Sequence, residues 1–148
     1  MRLPGRPIVV ASWAADGVFA GTALPAALGA NALDGAAVVV ALGLFAASIP
    51  VWVYALALAV VRTTRGDDVV VANLFFLQGS APRPVQVHLF GSLAVCLLVT
   101  AGTAAANPFG TLVPMLPLGL AGLWGARHGT FPARRMRTDV PETRRPGG

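Results

Sequence analysis

Charged residues divide the chain into four long apolar runs. Residues 35–61 carry no Asp, Glu, Lys or Arg for 27 positions. As an α-helix that is about 40 Å against a hydrocarbon core of about 30 Å, long enough to cross a membrane with tilt. Residues 84–126 are uncharged for 43 positions, too many for one crossing and enough for two. Asn107-Pro108 divides them, because proline lacks the backbone donor and pushes the residue before it out of helical geometry. The expected spans are residues 85–106 and 109–126, with Pro114 and Pro117 predicting a late or kinked first turn in the second. Residues 8–32 form the remaining run, interrupted by Asp16. A central aspartate costs about 2.5–3.5 kcal/mol on insertion scales, which the surrounding Val, Ala, Phe and Leu must offset. The expectation is an all-α, integral membrane four-helix bundle, one domain over residues 1–131. A competing reading of the first run is a secretory signal, with Arg2 and Arg6 ahead of it and Ala30-Asn31-Ala32 as a small-residue cleavage site. Asp16 breaks the apolar stretch that such a signal needs.

The arginines give the topology. Arg2 and Arg6 precede the first span, Arg62, Arg65 and Arg83 lie between the second and third, and the other six follow the fourth. The two remaining connections contain none, so all 11 basic residues fall on one side of a four-span scheme. The positive-inside rule then makes the location the cell (inner) membrane with both termini cytoplasmic. A three-span scheme would split the arginines between the two faces.

The connection at residues 62–84 has its own pattern. Residues 69–77 are apolar except for Asn73 and too short to span. They read as a loop that packs its Val and Phe side chains under the bundle. The alternative is an interfacial helix with Asp67 and Asp68 at its N-terminus. Residues 132–148 are rich in Arg and Pro and poor in apolar residues, the composition of a disordered tail.

Composition narrows the function classes. Hydrophobic residues make up 55% of the chain and charged residues 11%, with a mean hydropathy of +0.70, which excludes a water-soluble enzyme domain. The single cysteine, Cys96, excludes a disulfide scaffold and a Cys-X-X-Cys redox pair. A pI of about 11.4 would suit nucleic-acid binding, but the arginines flank apolar runs instead of forming a stripe, so no nucleic-acid partner is expected. No metal site, cofactor or catalytic residue is expected. Asp67-Asp68 reads as a helix cap, and His88 and His128 make a poor haem pair because His128 lies beyond Arg127, outside the apolar span.

Asp16 is the leading candidate for chemistry, since an ionisable side chain inside a membrane is a functional-site hypothesis by default. Counted at 1.5 Å per residue, Asp16 lies about 12 Å in from residue 8, Tyr54 about 12 Å in from Arg62, and His88 about 5–6 Å in from Pro84. Asp16, Tyr54 and His88 therefore form a candidate intramembrane polar site. The blander reading has Asp16 bonding a neighbouring helix and locking the bundle. Gly17 and Gly21 make a GxxxG face, and Gly119, Gly122 and Gly125 a similar stripe, both suited to close helix approach. Trp13 and Trp124 fall at interfacial depth, Trp52 deeper in the core.

Residues 119–132, Gly-Leu-Ala-Gly-Leu-Trp-Gly-Ala-Arg-His-Gly-Thr-Phe-Pro, together with Leu-Phe-Phe-Leu-Gln-Gly-Ser-Ala-Pro at 74–82, look like a family of small actinobacterial multi-spanning membrane proteins. The resemblance covers about the C-terminal half and implies a lineage and a membrane location, with no activity attached. It draws attention to Trp124, Arg127 and His128, with Arg134 and Arg135 beyond them, as a candidate membrane-exit, lipid or partner contact. The arginines suit anionic headgroups.

These features favour a non-enzymatic membrane protein, an accessory or assembly subunit of a larger inner-membrane system. The alternative is a small homo-oligomeric transporter or channel with Asp16 as its proton- or cation-linked site. The expected partners are the lipid bilayer with its anionic headgroups, and a larger membrane complex or further copies of the chain.

Overall fold

The computed structural model describes residues 4–134. Over these residues the chain is an all-α bundle in which four helical segments are long and apolar enough to cross a membrane. The chain is a multi-pass membrane protein. Helix α1 (Arg6–Ala27) begins with proline in its first turn, where the missing donor costs nothing. It ends five residues before the expected residue 32, because Gly29 turns left-handed at φ 100° and Ala30 N–H closes onto Pro25 O at 2.9 Å. A 3₁₀ turn at Asn31–Leu33 leads directly into α2 (Asp34–Thr64). At 31 residues α2 measures about 46 Å, longer than the hydrocarbon core.

Helix α4 (Arg83–Thr103) again starts on a proline and stops three residues short of the expected 106. The last span is composite. Helix α5 (Met115–His128) has only 14 residues, about 21 Å, and a 3₁₀ turn at Pro108–Leu112 supplies the rest of the crossing. Pro114 stands immediately before α5, which accounts for the late start that the prolines predict.

Helix α5 is the centre of the bundle, with nine of its 14 residues buried. By contrast α2 buries only Ala37, Ala41, Ser48, Ala55 and Ala59, a narrow stripe of small side chains that brings its backbone close and leaves the rest facing outward. The α5 glycines are where neighbours press in. A methyl group on Gly119 would stand 2.7 Å from the Trp52 ring, and one on Gly122 would enter the ring of Phe75. Trp52 and Phe75 stack with centroids 4.6 Å apart, and Trp52 Nε1 donates to Met115 O at 2.8 Å.

The long connection forms a loop that packs under the bundle only in part: Phe75 is buried, but Val70, Val71 and Phe76, expected to pack there, are exposed. A single helical turn, α3 (Val71–Leu74), is all that forms, and Leu74, Phe75 and Leu77 are buried beneath α5. The acidic pair caps nothing. Asp67 faces Arg62 at 3.8 Å, Asp68 N–H donates to Pro132 O at 2.9 Å, and Val70 is the residue before the turn. Arg134 N–H returns a bond to Gly66 O at 2.8 Å, so residues 132–134, expected to begin the disordered tail, lie along residues 66–68 instead. The remainder of that tail, Arg135 included, lies outside the described residues.

Candidate functional site

The inward faces of α1 and α4 repeat at alternating intervals of three and four. On α1 the buried positions include Val9, Ser12, Asp16, Phe19 and Ala23; on α4 they are Val85, Leu89, Ser92, Cys96, Thr100 and Thr103. Val9 packs with Val85 and Leu89, and Phe19 packs with Cys96, so the two helices run parallel. This register sets Ser12 and Asp16 opposite Ser92 and Cys96. Ser92 Oγ donates to Asp16 Oδ2 at 2.5 Å. Ser12 Oγ lies 2.6 Å from Ser92 Oγ and is the donor of that bond, because the one Ser92 proton is directed at the carboxylate. The Cys96 thiol lies one turn further along the same buried face of α4. Asp16 is 3% exposed, and Ser12, Ser92 and Cys96 are fully buried.

Asp16 Oδ1 is buried with no hydrogen-bond partner among the described residues. One carboxylate oxygen therefore accepts the Ser92 hydroxyl, and the other is buried without a partner among these residues. A cluster of this kind can join two helices and can hold a proton. Among the described residues no three His, Cys, Asp or Glu side chains meet as a metal site would require.

Tyr54 and His88 are not part of this cluster. Tyr54 is 49% exposed on the outward side of α2 and lines a groove with residues of α5. His88 is exposed on α4 and lines a separate groove of about 580 Å³ with Arg6, Val10 and Trp13 of α1. Depth alone had suggested that both converge on Asp16, but depth does not fix the direction around a helix axis. The buried face of α4 passes through Leu89 and Ser92, so His88 falls on the outer side, as Tyr54 does beside buried Ala55. Residues that depth did not single out, Ser12, Ser92 and Cys96, are the actual neighbours. Their four-residue spacing was the available signal.

At the membrane-exit end the structure corrects one assignment. Trp124 is 1% exposed, and its Nε1 donates to Pro4 O at 2.8 Å, so it ties the start of α1 to α5 instead of meeting lipid or a partner. Its ring lies 5.6 Å from that of His128. Arg127, His128 and Arg134 are exposed. Arg62 reaches over this end, with a guanidinium nitrogen donating to Gly129 O at 2.5 Å and the Phe131 ring 5.0 Å away.

No family model, curated protein or solved structure matches the chain.

Proposed function

We propose that the chain is a non-enzymatic protein of the cell (inner) membrane with both termini cytoplasmic, serving as an accessory or assembly subunit of a larger membrane system. The observation that supports this reading most is the environment of Asp16. The intramembrane carboxylate is engaged with Ser92, supported by Ser12, and walled in by packed side chains of α1 and α4. In that position it joins helices. The one-sided distribution of arginines supports the orientation, and residues 74–82 and 119–132 support kinship with small actinobacterial membrane proteins. The test is extraction in mild detergent followed by mass spectrometry of everything that co-purifies. A stoichiometric partner protein is expected; a monodisperse chain without one counts against the subunit role.

One observation favours a second reading, a small homo-oligomeric transporter or channel. Asp16 Oδ1 has no partner among the described residues, and an unpaired acceptor at that depth is suited to a transient proton or cation. In that case Asp16→Asn abolishes pH-coupled flux in reconstituted vesicles while insertion is preserved. Unchanged flux removes the reading.

A further inference from the structure

The outward side of α2 and the end of α5 enclose a groove of about 390 Å³. Its walls divide by chemistry along its length. Tyr54, Leu58 and Val61 of α2 form an apolar stem with Ala126 of α5. At its other end the lining residues are three arginines, Arg62, Arg65 and Arg127. From Tyr54 to Arg65 is about 16 Å along the helix, close to half of a hydrocarbon core of about 30 Å. The groove is thus one leaflet deep, with its cationic end where the helices leave the membrane.

Arg62 turns past the end of α2, its guanidinium held by Asp67, Gly129 O and the Phe131 ring, while Arg65 at the C-cap of α2 and Arg127 in the last turn of α5 line the groove. Among the described residues Arg62 is the only one of the three in an ion pair, with Asp67 at 3.8 Å, and it is also bonded to Gly129 O. Arg65 and Arg127 are exposed and line the same groove. Two guanidiniums lining one groove match the oxygens of a phosphodiester, and an apolar stem of about 10 Å from Tyr54 to Val61 matches the upper part of an acyl chain.

We infer that this groove holds one anionic glycerophospholipid, its phosphate on Arg65 and Arg127 and an acyl chain along Leu58 and Val61 down to Tyr54. The charge at the arginine end selects against zwitterionic lipids, whose choline or ethanolamine nitrogen would be repelled by the guanidiniums. The α1–α4 groove serves as an internal comparison. It also opens among apolar side chains, but it presents one arginine, Arg6, with His88.

The test is native mass spectrometry of the full chain in mild detergent, titrated with phosphatidylglycerol or with phosphatidylcholine of the same chain length. Phosphatidylglycerol is expected to be retained preferentially. Arg65→Gln with Arg127→Gln is expected to lower that affinity roughly thirtyfold, about fivefold per arginine, and to abolish the preference. Val61→Trp, which blocks the stem and leaves every arginine in place, is expected to weaken phosphatidylglycerol binding as well. This second variant keeps the test decisive if the double variant fails to fold. Arg6→Gln is expected to leave the preference intact. Equal retention of the two lipids overturns the proposal, as does a preference abolished by Arg6→Gln. So does displacement of the lipid by millimolar inorganic phosphate with no effect of Val61→Trp, which would make this a free-anion site.

Discussion

Ser92 gives its hydroxyl proton to Asp16 at 2.5 Å, and the bond fixes the axial register of α1 against α4. Measured from the helix starts at Arg6 and Arg83, the two residues lie about 15 Å and about 14 Å along parallel helices. A slip of one turn, about 5.4 Å, would set Asp16 opposite Leu89 and leave a carboxylate among hydrocarbon side chains. The apolar positions around it are less selective, since Val, Leu and Ala tolerate several registers. The polar pair chooses one.

Ser92→Ala is therefore expected to destabilise the bundle by about 1–2 kcal/mol, the upper part of the range for interhelical hydrogen bonds in membranes. Ser12→Ala, which removes only the outer bond of the chain, should cost less. Reversible unfolding in mixed micelles measures both. A double-mutant cycle between Asp16→Ala and Ser92→Ala should return a coupling of about 1 kcal/mol. A coupling near zero would show that the contact does not set the register.

The two glycine stripes should behave oppositely. A methyl group on Gly122 would enter the Phe75 ring, so Gly122→Ala is expected to cost about 1–3 kcal/mol as α3 and α5 are forced apart. Gly17 and Gly21 are exposed, and a methyl group there meets nothing within 4 Å. Gly17→Ala should leave monomer stability unchanged or slightly raised. Unfolding curves of the two variants separate the cases. If Gly17→Ala instead weakens self-association in a crosslinking assay, that GxxxG face contacts a second copy.

How much of this was legible beforehand depends on which question was asked of the sequence. The spacing of charges against apolar runs identifies four spans, because hydrocarbon thickness is a single length that every crossing must meet. Ends were less legible. Gly29 stops α1 at Ala27 although the expected span continues to residue 32, and α2 continues through Arg62 because a long side chain can carry its charge out to the interface. At the site, depth pairs Asp16 with Tyr54 and His88, which face outward, whereas Asp16 itself is buried between α1 and α4. The partners were readable only from the four-residue pairs Ser12/Asp16 and Ser92/Cys96, and a serine in a span is too ordinary to stand out. Trp124 was misread for a related reason: an aromatic residue at interfacial depth suits an anchor, and its bond to Pro4 O depends on how α1 enters the bundle.

That last contact is directly testable by fluorescence. In single-tryptophan variants reconstituted with brominated lipid, Trp13, 39% exposed, should be quenched, while Trp124, 1% exposed, should not. Trp124→Phe keeps the ring packing and removes the donor to Pro4 O. It is expected to cost about 1 kcal/mol and to raise hydrogen exchange in the first turn of α1. Quenching of Trp124 to the same extent as Trp13 would return it to the lipid-facing surface.

Cys96 separates the two functional readings without any knowledge of substrate. Its thiol is fully buried on α4, one turn beyond Ser92 on the face that packs against α1. A transporter must at some stage admit water or an ion to Asp16, and the same opening would bring Cys96 into contact with a small thiol reagent. A helix clamp has no such stage. For an accessory subunit, a water-soluble methanethiosulfonate should leave Cys96 unmodified in intact vesicles over hours, with full reaction only after unfolding in detergent. Steady modification in the native bilayer, faster when the pH gradient is imposed, would favour transport and make the free Oδ1 of Asp16 its first point of contact.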